Sequence, residues 1–462
     1  MDKIKITIKD LFNLPGAVIF NPDAFRPVSS VQIDSRGINK NCIFVAIKGD
    51  KYDGHNFIPD AIKNGAGAVV IDERKFRKFH NLEIPVITVS DTIKAFGEIA
   101  QVWRAKLNAK VISITGSNGK TTLKEIVAGL LGEKFKVVRT EANNNNNIGV
   151  PLTILSADEK CEVLVLEQGT NHFNEIAYSS MISKPDFAII TNIGDSHLEF
   201  LKNRNGVYKE KSALFDAAEG NGGTVFLNMD DPVIRRGANK YKNKVTFGML
   251  GKVDVKGKIL GFTDDGRTNV QITFKNKKFN TILPLYGESN SKNFLAASAI
   301  ALKLGLSPEE IISATGKLDT IHGRLEVKKI KNAVIVDDTY NASPASVESA
   351  VNLTKKIKIY KNKVFILGDI FELGKSGAKF HAELSKLFKS DKNITVITIG
   401  ILMKNLHKEL RKKKIRSIHF HLREALSLYL QYEEIENSVI LVKGSRGMKM
   451  EEFVKILETR FE

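Results

Sequence analysis

The run Thr115-Gly116-Ser117-Asn118-Gly119-Lys120-Thr121-Thr122 follows the apolar stretch "VISI" and opens the helical pattern "TTLKEIVAGLLGEK". That order is what a phosphate-binding loop needs. Glycine lets successive backbone N–H groups turn inward around phosphate oxygens. The start of the helix adds partial positive charge. Lys120 can reach the β- and γ-phosphates of a nucleotide, and the Thr121 hydroxyl can bind Mg²⁺. Gly116, Ser117, Asn118, Gly119, Lys120, Thr121 and Thr122 are therefore expected to cradle ATP. The common form of the loop places another glycine five residues before its second one; Ile114 stands there, so this loop is shortened. Phosphate binding by itself names no reaction, since a kinase, an ATPase and a ligase all require it.

The elements that must position this loop fall into three blocks. Residues 1–108 hold short strand patterns ("VQIDSR", "CIFVAIK", "AGAVVID", "IPVITVS"), a helical "FIPDAIKNG" and a closing amphipathic stretch, "TIKAFGEIAQVWRAKL". Residues 109–321 alternate buried strands with helices: "VISITG", "CEVLVLEQG" and "DFAIITNIG" read as parallel strands with crossovers. Within them, residues 253–284 alternate in a β pattern with "DDGR" as a turn, and residues 290–304 form a covering helix. Residues 322–462 repeat the style with "AVIVDDTY", "KVFILGD", "ITVITIG", "IRSIHFH" and "SVILVKGS". The expected architecture is α/β in three domains. A small N-terminal α/β unit precedes a central mostly parallel sheet of phosphate-loop type, and a Rossmann-like unit closes the chain.

Bulk properties narrow the class. The chain has 462 residues, 42% hydrophobic and 26% charged, ordinary for a globular protein and too long for one core. No apolar run approaches the roughly 20 residues of a membrane span, and residues 1–10 alternate Lys with Ile rather than forming a signal peptide. A cytoplasmic protein with no membrane insertion is expected. Cys42 and Cys161 lie in apolar strand-like runs and read as buried thiols. The net charge of +18 is spread along the chain, which points to anionic small molecules and no nucleic-acid partner.

Beyond the loop, the blocks "NNNIGVPLTIL", "VLEQGTNHFNEI", "TNIGDSHLEF", "VYKEKSALF", "IHGRLEV", "VDDTYNASP" and "LVKGSRG" occur in one order along nearly the whole chain. With the shortened loop, they resemble the Mur ligase family, which includes folylpolyglutamate synthetase relatives. The resemblance implies ATP-driven amide synthesis through an acyl phosphate, with two Mg²⁺ ions neutralising the gathered anions. Thr121 and Glu167, the latter at the end of its strand, are candidate Mg²⁺ ligands. The resemblance makes His197 a ligand of a second Mg²⁺ and Lys211 a lysine carbamylated by CO₂ that supports that ion. It places Asn147 near the reacting groups. It sets Asn290 and Asn293 against adenine, although Glu288-Ser289 stand where the family often has Arg-His. It brings Arg324 to the γ-phosphate and Asp338 to the ribose or the metal's water shell. Lys120, His197, Lys211 and Arg324 are thus the expected catalytic set.

The ends of the chain sort the family. "DSRGINKNCIFVAIKGDKYDGHNFIPDAIKNGA" is similar to the uridine-diphosphate-binding unit of the later-acting members, with Ser35, Arg36 and Lys48 as contacts. There is no D-N-P-R signature, while "GDIFELG" and "KGSR" resemble the branch that adds D-alanyl-D-alanine to UDP-N-acetylmuramoyl-tripeptide. By that analogy Asn341, Lys443 and Arg446 help hold substrate. The implied protein is a monomer in peptidoglycan-precursor synthesis. Competing readings are a Mur-type ligase adding the third residue, a folylpolyglutamate-synthetase-like ligase, and, in another class, a phosphate-loop NTPase switch.

Overall fold

A computed structural model describes residues 4–433 and 435–461, so the first three residues of the Lys/Ile-alternating start lie outside it. Runs of aliphatic residues buried on both faces form parallel strands, as in Val163–Glu167, where all five residues are buried. The chain is α/β with three sheets, of five, nine and six strands.

In the first sheet four strands run parallel, and Val18–Phe20 adds an antiparallel edge against Val86–Val89. The stretch "VQIDSR" yields only the two-residue strand Val31–Gln32, because Asp34 caps a 3-10 turn at Ser35–Gly37. The helix Thr92–Lys106, capped by the Asp91 carboxylate on Ile93 and Lys94 N–H, leads into the second sheet.

The second sheet sets Lys110–Thr115 between Phe187–Ile190 and Val163–Glu167, both parallel to it. Three strands therefore end side by side. Thr224–Asn228 and Lys244–Gly248, not anticipated from pattern, extend the sheet in parallel. The β-patterned insert is no separate piece. Val255–Phe262, Arg267–Phe274 and Lys277–Tyr286 continue the same sheet, the last two pairings being antiparallel. The "DDGR" turn lies between the first and second of these strands, while Lys275 and Asn276, both at positive φ, make the turn to the third. Helix Gly287–Lys303 packs over this sheet against helix Lys120–Leu131.

In the third sheet five strands are parallel, and Glu326–Ile330 adds an antiparallel edge. The last strand, Ser438–Lys443, inserts between Ala333–Asp338 and Asn362–Gly368. No helix among the described residues is long and apolar enough to cross a membrane. Cys42 and Cys161 are buried, and burial pushes the Cys42 thiol up to about 11.

The first two sheets share a core. Phe96, Ile99 and Trp103 of the connecting helix sit in one apolar cluster with Ile43 and Val45 of the first sheet and Leu164 and Leu166 of the second. Trp103 is fully buried, and its indole N–H donates to the Ala157 carbonyl at 2.9 Å. Trp103→Ala should cost about 3–5 kcal/mol and lower the urea midpoint of the first unfolding transition. An unchanged midpoint would refute a shared core.

Candidate active site

The parallel strands of the second sheet end on one cleft of about 1350 Å³, closed on its far side by the third sheet. The phosphate loop follows Lys110–Thr115 and opens the helix Lys120–Leu131. Two of its glycines are obligatory. A Cβ on Gly116, at φ +147°, would stand 1.9 Å from the Thr191 hydroxyl oxygen of the neighbouring strand end. One on Gly119, at φ +81°, would stand 2.8 Å from Asn293 Oδ1. Ser117, Asn118, Gly119, Lys120, Thr121 and Thr122 line the cleft. The Lys120 ammonium donates to the Gly116 carbonyl at 3.0 Å, and its withdrawal from water lowers its pKa against the pull of Glu167.

Glu167 emerges from the adjacent strand, in register with Ile114. Asn145 donates to its Oε1 at 2.8 Å, and the Thr140 hydroxyl accepts its backbone N–H at 3.0 Å. Its Oε2 is buried with no hydrogen-bond partner. A buried, unpaired carboxylate oxygen beside a phosphate loop is a hard donor suited to Mg²⁺, so the residues present fit that ion. His197 lies beyond the third strand end, at φ 51°, and its Nδ1 meets Glu372 Oε2 at 3.0 Å.

Lys211 and Lys209 stand on opposite faces of helix Arg204–Gly220. Lys209 is exposed and Lys211 fully buried. Burial, then the nearby charge of Lys120, holds the Lys211 pKa well below that of an ordinary lysine. Its neighbour Glu210 turns elsewhere, accepting from the Thr170 hydroxyl and from Asn174 and Ile176 N–H at 2.7–3.1 Å.

The third sheet supplies the opposite wall. Arg324 donates to the Thr121 hydroxyl at 3.0 Å while its guanidinium lies 3.9 Å from the Tyr340 ring centroid. Asp338 lines the cleft, yet both its oxygens are engaged within the protein, by Lys443 at 2.5 Å and Leu325 N–H at 3.1 Å. Lys443 also donates to the Asn341 carbonyl, and Arg446 N–H to Asn341 Oδ1. Asn290 and Asn293 face the cleft from one side of their helix, with the Asn290 amide bonded back to the Tyr286 carbonyl. Asn147 is exposed in the cleft. Ser35, Arg36 and Lys48 lie outside it, on the first sheet. Arg36 forks onto Asp34, and the Lys48 backbone pairs with that of Asp53 in an isolated antiparallel bridge.

Several residues that carry this geometry were not singled out from sequence. Asn145, Tyr340 and Glu372 sat inside blocks already marked. Ser343 crosses the junction, its hydroxyl donating to Asn118 Oδ1 at 2.8 Å. Lys124 lies one turn after Lys120 on the buried face of the helix, an unusual place for a charge, and its ammonium donates to the Thr140 carbonyl at 2.6 Å. It thereby clamps the segment that reaches Glu167. His322, Glu326 and Asp337 also converge, but Lys328 stands 3.6 Å from Asp337 and supplies their cation.

Three profiles of one family match the chain: "Mur ligase family, catalytic domain" over residues 27–104, "Mur ligase middle domain" over 114–301, and "Mur ligase, glutamate ligase domain" over 323–446. The chain is 33% identical to the UDP-N-acetylmuramoyl-tripeptide–D-alanyl-D-alanine ligase of Bacillus subtilis over 98% of each chain. It superposes on a crystal structure of MurF from Acinetobacter baumannii with a TM-score of 0.87 at 28% identity, covering 99% of this chain and 100% of that one. On the MurF ligase of Thermotoga maritima in complex with ADP, the TM-score is 0.81 at 28% identity, covering 95% and 98%.

Replacing Lys124 by Met keeps its apolar stem but leaves the Thr140 carbonyl unpaired. Lys124→Met should destabilise the protein by about 1.5–3 kcal/mol and speed amide hydrogen exchange over residues 140–147. Wild-type exchange rates there would dismiss the clamp.

Proposed function

This chain belongs to the Mur ligase family, and from that premise we propose that it is an ATP-dependent amide ligase joining D-alanyl-D-alanine to UDP-N-acetylmuramoyl-tripeptide in peptidoglycan-precursor synthesis. One observation carries the choice of substrates. The likeness to dipeptide-adding ligases runs through all three sheets, whereas the central site is common to the family and would serve the third-residue and polyglutamate readings equally.

The phosphate loop and Lys120 hold the nucleotide's phosphates, and Arg324, already at Thr121, is placed for the γ-phosphate. Asn290 and Asn293 offer amides to the base. Thr121, Glu167, His197 and carbamylated Lys211 would hold two Mg²⁺ ions, which neutralise the charge of the transferring phosphoryl group. Burying Lys211 beside Lys120 supports the carbamate: the neutral amine is the form that adds CO₂, and the product replaces a disfavoured second cation with an anion.

The tripeptide's terminal carboxylate attacks the γ-phosphorus, and ADP leaves. The dipeptide amine then attacks the acyl phosphate carbonyl, and the tetrahedral intermediate expels phosphate. The third sheet shields that acyl phosphate from water. Asp338 and Lys443, paired with each other, brace the Arg324 loop. Ser35, Arg36 and Lys48 are assigned to the UDP moiety, and Asn147, Asn341 and Arg446 to the peptide end. The reading includes a cytoplasmic monomer.

Phosphate release measured with ATP, UDP-muramoyl-tripeptide and D-Ala-D-Ala should require all three and vanish in Lys120→Ala. Release independent of the carboxylate acceptor would favour an NTPase switch. For Lys211, ¹³C-bicarbonate should give a carbamate resonance absent from Lys211→Ala, whose lost activity short carboxylic acids should partly restore. A wild-type spectrum without that resonance would remove the carbamate.

A further inference from the structure

The loop over residues 369–373 of the third sheet brings Glu372 to His197, and its backbone is pinned at several points. Ile370 N–H donates to His381 Nε2 at 3.0 Å, and Phe371 N–H to the Ser445 hydroxyl at 2.8 Å. Ser445 N–H donates to the Asp369 carbonyl at 3.0 Å, while the Asp369 carboxylate accepts Met403 N–H at 2.7 Å. So held, Glu372 sits at φ 62° and faces His197 at φ 51°, two non-glycine residues in left-handed backbone on opposite sides of the junction. Such conformations persist when the surroundings over-determine them, and they concentrate at functional sites.

The contact also has a direction. His197 Nδ1 and Glu372 Oε2 lie 3.0 Å apart, and a carboxylate oxygen can only accept. With Nδ1 turned to that acceptor, Nε2 is the ring nitrogen left to meet a metal. Metal-binding histidines commonly donate their other ring N–H to a carboxylate in this way, which fixes both tautomer and ring orientation. Here the carboxylate comes from a different sheet than the histidine.

We propose that Glu372 is a positioning residue that readies His197 for its metal from across the junction, so that the second ion binds firmly only when the second and third sheets are docked. This rests on the reading of His197 as a Mg²⁺ ligand. The contacts Arg324–Thr121 and Ser343–Asn118 span the same junction, so metal and docking strengthen each other reciprocally.

Manganese binding to the full chain, with a non-hydrolysable ATP analogue and followed by electron paramagnetic resonance, tests this without turnover. Wild type should take two ions. Glu372→Ala should weaken the second by about 10–100-fold and leave the first unchanged, and Glu372→Gln, which keeps an acceptor oxygen at the same reach, should recover most of the loss. Wild-type affinity for both ions in Glu372→Ala overturns the proposal. His197→Ala, measured in parallel, separates the two ideas. If it too binds both ions normally, the ligand reading itself is wrong; if it alone loses the second ion, only the role of Glu372 falls.

Discussion

The site is organised around cations withdrawn from water. Lys211 is fully buried, Lys120 lies half-buried near it on the cleft wall, and Arg324 closes on Thr121 from the third sheet. Gathering like charges in low dielectric is unfavourable unless anions meet them. Glu167 and Glu372 lean toward Lys120, and Glu210, beside Lys211, is spent on three donors of a neighbouring loop. Nucleotide phosphates, a substrate carboxylate and a carbamate would answer these groups, while the wider cleft wall also carries acids such as Glu175, Asp230 and Glu348. The same need explains why the phosphate loop must be glycine-rich: backbone and cations approach so closely that a single methyl group at Gly116 would collide with Thr191.

This arrangement holds together because each charged group is braced by a neighbour with no chemistry of its own. Lys124 clamps the segment from which Asn145 reaches Glu167. Asp338 pairs with Lys443 and anchors the backbone just after Arg324. His381 and Ser445 pin the loop of Glu372. Side-chain contacts at Thr121, Asn118 and His197 then cross from the second sheet to the third, alongside others such as Ser289–Ser349 and Lys329–Asp265. The chemistry depends on this docking, since neither sheet alone surrounds the position where a phosphoryl group would transfer.

Much of this was open to inspection of the chain as text. The phosphate loop was readable because its glycines, lysine and threonines must be contiguous to wrap one anion. The alternating strands and helices were readable because burial on both faces imposes continuous aliphatic runs such as "VLVLE". Harder were the strands Thr224–Asn228 and Lys244–Gly248, and the insert that joins the main sheet, because edge position and sheet membership come from partners distant in sequence. Lys209 and Lys211 differ by two positions in one helix, and the family resemblance names the second; the fold turns only that one inward.

Local order therefore sufficed for the anion cradle, the α/β class and the blocks of the family, each being a property of adjacent residues. Tertiary packing alone decided that Asp338 is committed to Lys443, that Glu167 keeps one oxygen unpaired, and that Glu372 meets His197. Those outcomes turn on distances between groups some twenty to nearly two hundred residues apart, and only the docking of one sheet against another sets such distances.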